Sequence, residues 1–155
     1  MTPAYHKFLE LFRANEYKIK HGKKGVVKQE WIDYTEQELG FLLPDSYKWW
    51  SQEFEYFKVE DEYVKYVSPP ENYNIADIDS ILYLYKSQTI NSAVSQNELT
   101  ILEEGEGDAL YYFLIEPGLK GNEYRVFCRD YMNEDDDFYA DDFFKFLEMK
   151  IHQMK

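Results

Sequence analysis

Five consecutive positions, Asn133-Glu134-Asp135-Asp136-Asp137, set four carboxylates side by side, and such a run of hard oxygens invites comparison with a calcium loop. The alternating Asp-x-Asp-x-Asp-Gly spacing and the glutamate at loop position twelve are missing, so no metal is expected there. Two readings stand. The run is either a solvated acidic loop or a docking surface for a basic protein, its charges steering at long range while Tyr131, Phe138 and Tyr139 supply aromatic anchors.

The other groups capable of chemistry are isolated. Gly105-x-Gly107 has Leu110 where a third glycine would complete a phosphate loop. Glu103, Glu104, Glu106 and Asp108 around it would repel a phosphate, so a plain turn is expected. His6, His21 and His152 lie far apart, with no His-x-x-x-His or Cys-x-x-Cys spacing to support zinc, and are expected at the surface. Cys128 follows Val126-Phe127 in an apolar run and reads as a small buried hydrophobe rather than a nucleophile. Among the 30 acids nothing selects a pair to meet across a cleft as a glycosidase needs. Neither an enzyme nor a cofactor is expected.

The formal charge of −13 is unevenly placed. Residues 1–30 carry seven Lys or Arg against three Glu, a balance of +4, and the remainder carries −17. The basic complement sits at Lys18, Lys20, Lys23, Lys24 and Lys28, around Gly22 and Gly25. Phosphate affinity depends on counterion release by Lys and Arg, so the acidic body is not expected to bind nucleic acid directly. It points to cationic partners or to solubility.

The elements that must position these groups are partly legible. Thr2 caps and Pro3 opens a first helix, in which Tyr5, Phe8, Leu9 and Phe12 form one face as far as about Asn15. Residues 17–32 read as a basic hairpin or a loop. Thr35 and Glu38 form a capping box that would start a helix at Glu36, ended by Gly40 and Pro44. Pro44 suits the first turn of a second helix whose stripe is Tyr47, Trp50 and Phe54, with Trp49 about 100° off it and possible to expose. Residues 62–67 suit a strand, and residues 78–85 fit a strand or a short helix. Residues 99–102, 110–115 and 124–128 form a three-stranded meander joined at Gly105-Glu106-Gly107-Asp108 and Pro117-Gly118. A last helix begins near Asp141 or Asp142 and buries Phe143, Phe146, Leu147 and Ile151.

Residues 35–50, Thr-Glu-Gln-Glu-Leu-Gly-Phe-Leu-Leu-Pro-Asp-Ser-Tyr-Lys-Trp-Trp, give helix, Leu-Pro corner, helix, and this unit resembles the signature of the SUKH superfamily of Smi/Knr-type domains. Residues 99–108 followed by Ala109-Leu110-Tyr111-Tyr112-Phe113 resemble the family's strand, glycine-bearing turn and aromatic strand. Ala140-Asp141-Asp142-Phe143-Phe144-Lys145-Phe146-Leu147 resembles its closing helix. The Asn-Gly or Gly-Gly turn usual after the second helix is absent, its place being taken by Glu53-Phe54-Glu55-Tyr56-Phe57.

The resemblance implies an α+β fold, an antiparallel or mixed β-sheet meander packed against N-terminal, central and C-terminal helices. At 155 residues one domain spanning 1–155 is expected. The lone Cys128 requires no oxidising compartment. With no apolar run of signal-peptide or membrane-span length, a cytoplasmic protein without membrane contact is expected. The family's bacterial branch implies an immunity protein that binds a toxin domain, expected here to be cationic, and occludes it stoichiometrically. A regulatory or scaffolding module of the same fold and an acidic nucleic-acid mimic are the alternatives. The partner-binding residues, read from charge and expected exposure, are Glu134, Asp135, Asp136, Asp137, Tyr131, Phe138, Tyr139, Glu104 and Glu106.

Overall fold

Aromatic rings gather the helices around one core in the computed structural model, which describes residues 2–72, 76–105, 107–116 and 122–155. Helix α1 runs Pro3–Asn15, with Thr2 Oγ1 accepting the Tyr5 N–H at 3.4 Å and proline at the first position, where no donor is missed. Its Phe8 stacks on Phe144 at 4.9 Å between centroids, and Phe12 packs on Phe54 at 4.6 Å.

Helix α2 runs Gln29–Leu39 and so begins well before the expected Glu36. Thr35 is not a cap: its hydroxyl donates to the Trp31 carbonyl at 2.7 Å inside the helix, and Glu38 reaches Lys86 at 2.7 Å instead of the cap amide. The tertiary cause is burial of Ile32, Thr35 and Leu39 on one helical face, which extends the helix past the local capping signal. The ending is as expected. Gly40 takes φ +85°, and the Glu36 carboxylate accepts the Leu43 N–H at 2.7 Å, fixing the corner. Helix α3, Asp45–Phe54, follows Pro44, which stands just outside it at the cap position. Tyr47, Trp50 and Phe54 are buried as the stripe predicts. Trp49 is half-buried rather than exposed, stacked on Tyr5 at 4.8 Å.

Residues 17–32 make neither a self-contained hairpin nor a simple loop. Strand β1, Lys20–His21, pairs antiparallel with the distant β2, Phe57–Val59, and β3, Glu62–Tyr63, completes a sheet ordered β1-β2-β3. The strand expected over 62–67 thus keeps only its first two residues. His21 is not a free surface histidine: half-buried, it lies edge-on to Phe12 at 5.1 Å, whereas His6 and His152 are exposed. The ambiguous segment becomes helix α4, Ile81–Ile90, capped by Ser80.

The meander has four strands, β4 (Glu98–Glu104), β5 (Ala109–Leu114), β6 (Val126–Asp130) and β7 (Asp135–Ala140), antiparallel and in chain order. The expected turn at Pro117-Gly118 lies outside the described residues. In β4 the register shifts between Thr100 and Leu102, and the Ile101 carbonyl accepts the Lys65 N–H at 2.8 Å, tying the chain after β3 to the larger sheet. Helix α5, Phe143–Gln153, starts where Asp142 accepts the Lys145 N–H at 2.9 Å. It buries Phe143, Phe146, Leu147 and Ile151 as expected. The fold is α+β. No helix among the described residues is long and apolar enough to cross a membrane.

Candidate partner-binding surface

The residues expected to form an acidic loop are a strand. Asp135, Asp136 and Asp137 open β7, the last strand of the larger sheet, and only residues 131–134 form the turn from β6. Asp130 holds that turn: its Oδ1 accepts the Met132 N–H at 2.9 Å, and its Oδ2 accepts the Asn133 side-chain amide at 2.7 Å. These bonds, the Met132 N–H foremost, lower the Asp130 pKa. Glu134 completes the reversal at φ +56°. The Tyr131 N–H donates to the Asp108 carbonyl at 3.1 Å, so the β6–β7 turn lies against the β4–β5 turn.

Strand alternation then divides the acids. Asp136 accepts from Arg129 Nε at 2.9 Å and from the Tyr112 hydroxyl at 2.8 Å. Arg129 also bonds Glu98. Its hydrogen bond to Asp136 raises the Arg129 pKa against the opposing effect of burial, and the same bond lowers that of Asp136. Two residues on, Phe138 meets Phe127 edge-on at 6.0 Å yet stays 53% exposed. Tyr139 instead packs inward on Tyr111 at 4.8 Å and on Phe146 at 5.9 Å.

Several of the expected binding residues are therefore engaged internally. Glu104 serves the interior: its carboxylate lies 2.7 Å from Nζ of Lys150, whose side chain is 2% exposed. The Lys150 ammonium also meets the Tyr111 hydroxyl at 2.7 Å and lies 3.8 Å from the centre of that ring. Burial lowers the Lys150 pKa, and Glu104 opposes the shift. Glu106 lies outside the described residues. Cys128, half-buried on β6, has its thiol pKa pushed up by burial, the reverse of what a nucleophile needs.

What remains outward is a smaller patch. Glu134, Asp135 and Asp137 are exposed and have no ion-pair partner among the described residues, Tyr131 is exposed in the adjoining turn, and Phe138 is exposed on the opposite face of β7, the face of Asp136. Met132, which the sequence reading passed over, is 81% exposed at the tip. Its placement in a turn, bracketed by Asp130 and Asn133, was the available signal, since apolar side chains at turn tips have no core to enter. Clustered charge on an edge strand also discourages pairing with another sheet edge. Such an arrangement can steer and hold a cationic protein surface. Among the described residues no group of three or more His, Cys, Asp and Glu side chains converges as a metal site.

Among known families, the model described as SMI1-KNR4 cell-wall, of the SUKH group, matches residues 29–147. That span runs from the first turn of α2 into α5 and includes the whole hairpin. No curated protein matches the chain.

Proposed function

Because the chain belongs to the SUKH superfamily, in its SMI1-KNR4 cell-wall family, we propose that it is a protein-binding immunity module that neutralises a cationic toxin domain in the cytoplasm by stoichiometric occlusion. The observation that carries this reading is the β6–β7 hairpin, where Glu134, Asp135 and Asp137 stand exposed, with Tyr131 and Met132 exposed at its turn and Phe138 on the other face of its edge strand. The carboxylates accelerate encounter with a basic surface, and the apolar anchors lengthen the life of the complex once water is excluded around them. No turnover is involved. The toxin is inactive because its active site or substrate groove is covered.

A second reading keeps the surface and changes the partner. The family description carries the words cell-wall, which fits a regulatory module docking on an endogenous protein through the same hairpin. Capture of the tagged protein from its own cells at low and moderate salt, followed by growth assays with whatever binds, separates the two. Immunity predicts one basic domain in equimolar amount that arrests growth when expressed alone and is harmless when co-expressed. A non-toxic housekeeping partner would transfer the assignment to the regulatory reading.

A further inference from the structure

Beside β3 lies a cleft of about 400 Å³ whose walls include Trp31, Tyr56, Tyr63 and Tyr66. That volume falls within the range of small-ligand pockets. All four rings are half-buried. Tyr63 is edge-on to Tyr56 at 5.6 Å and to Tyr66 at 6.2 Å, so the three rings form a continuous wall. Glu55 and Asp77 also line the cleft, and no lysine or arginine does among the described residues.

Both carboxylates are fixed in place. Asp77 accepts the Tyr66 hydroxyl at 2.8 Å through Oδ2 and the Asp79 N–H at 3.0 Å through Oδ1. Burial, followed by this bond, raises the Tyr66 pKa, so at neutral pH the phenol stays a donor. Glu55 sits at φ +68° and ψ −59°, in a γ-turn closed by the Tyr56 N–H to the Phe54 carbonyl at 2.7 Å. Its carboxylate accepts the Lys23 N–H at 3.2 Å. Lys58 Nζ lies 5.4 Å from the centre of the Tyr63 ring without lining the cleft, an example of this ring receiving a cation.

We propose that this cleft is a binding site for a cationic side chain, that of an arginine presented by an extended segment of a protein partner, held between the tyrosine faces and countered by Glu55 and Asp77. Ring quadrupoles attract a cation on their faces, and the planar guanidinium both stacks on aromatic rings and forks to carboxylates, which selects arginine over lysine. One residue of the cleft also faces toward the hairpin. Tyr63 borders a second cleft of about 340 Å³ lined by Asp61, Glu62, Asp79, Glu103 and Lys65 and reached by Tyr131 of the β6–β7 turn. There Lys65 pairs with Asp79 at 2.9 Å and Glu103 at 3.2 Å, while Asp61 and Glu62 have no ion-pair partner among the described residues. Asp61, Glu62 and Tyr63 therefore share one cleft with Tyr131 of the hairpin turn. The identity of the presenting partner, though not the site itself, rests on the cationic-partner reading above.

The test titrates the intact protein with the peptide acetyl-Gly-Ser-Arg-Ser-Gly-amide and with its citrulline twin, which keeps the shape and removes the charge. Binding is followed by the indole N–H resonance of Trp31, assigned with Trp31→Phe. The arginine peptide should move that resonance saturably and bind at least about fivefold more tightly than the citrulline twin. Tyr63→Leu, which keeps apolar bulk, and Asp77→Asn, which keeps the shape at Tyr66, should each weaken it about tenfold, or about 1.4 kcal/mol. The hairpin variant Glu134→Gln/Asp135→Asn/Asp137→Asn should leave the peptide's affinity within about twofold. Equal binding of the two peptides, or shifts confined to the amides of residues 131–139, would overturn the arginine site while leaving the hairpin reading standing. Cleft binding as predicted, together with a toxin indifferent to the hairpin variant, would do the reverse.

Discussion

Replacing Glu104 by glutamine should destabilise the protein without changing the exposed side chains of the β6–β7 hairpin, because it leaves a buried ammonium without its counter-ion. Glu104 Oε1 lies 2.7 Å from Lys150 Nζ. Opposite unit charges at that separation attract by about 6 kcal/mol at an effective dielectric of about 20. The Glu104 side chain is 38% exposed, so water screens much of this. Glutamine also keeps one acceptor, and Tyr111 keeps its contact with the ammonium. A loss of about 2–3 kcal/mol follows, below the full cost of breaking a wholly buried pair. It has a ceiling of about 5 kcal/mol at pH 7, since Lys150 can shed its proton instead, at about 1.4 kcal/mol for each unit below its ordinary value of 10.5.

That ceiling gives the variant a pH signature. With its pKa depressed in the folded state, Lys150 binds fewer protons folded than unfolded, so stability rises with pH between the folded and unfolded values. Burial already lowers this pKa in the wild type; removing Glu104 lowers it further and steepens the rise. Urea unfolding at pH 7 and pH 9.5 should show the variant recovering part of its deficit at the higher pH. Adding Lys150→Met should restore most of the rest by removing the stranded charge. A Glu104→Gln protein within about 0.5 kcal/mol of wild type at both pH values would refute the claim that Glu104 is an internal counter-ion.

Other outcomes follow from the same geometry. Gly22→Ala would place a Cβ 2.4 Å from Glu55 Oε1 and 2.7 Å from Glu55 Cβ, so it should cost about 1–3 kcal/mol in thermal or urea unfolding. Glu55→Gly, which relieves the positive φ, should offset part of that loss in the double variant. Asp136→Asn should cost about 1 kcal/mol near neutrality, discounted for the partial exposure of this carboxylate. The folded pKa of Asp136 is lowered, so its contribution is present above the unfolded value near 3.9 and is lost as pH falls through the folded one. Wild type and Asp136→Asn should therefore converge in acid unfolding profiles below about pH 4, and a constant gap down to pH 2 would contradict the Arg129 pairing.

How much of this was legible in the sequence depended on whether local and tertiary signals agreed. Helices α1, α3 and α5 were readable because Thr2-Pro3, Pro44 and Asp142 stand immediately before apolar residues at helical spacing. For α2 the two signals conflicted. The Thr35 to Glu38 spacing imitates a cap, and only the burial of Ile32 reveals that the helix already runs through it. Residues 81–85 are apolar on several faces, so periodicity could not separate helix from strand in α4. Strand β7 was hidden by its composition: three consecutive aspartates suggest a loop, and their role emerges only when pairing with β6 sets Asp136 opposite Arg129.

The candidate surface divides in the same way. Concentrated acid and neighbouring aromatics were visible along the chain. Which acids are free was not, because the groups that claim Glu104 and Asp136 are brought to them by folding, Lys150 from 46 positions away and Arg129 from the adjacent strand. The tyrosine cleft was equally out of reach. Its walls come from α2, the chain before β2, β3 and the segment after it, and no local spacing joins Trp31 to Tyr66.

The most direct test of the central claim is the association rate of the protein with its captured cationic partner, measured by stopped flow at low and high salt for wild type and for Glu134→Gln/Asp135→Asn/Asp137→Asn. That variant spares Asp136 and its bonds to Arg129 and Tyr112. Hairpin steering predicts association slowed about tenfold at low salt, a difference that shrinks as salt rises, and dissociation changed by less than about twofold. Identical association rates at every salt concentration would contradict the assignment of this hairpin as the partner-binding surface.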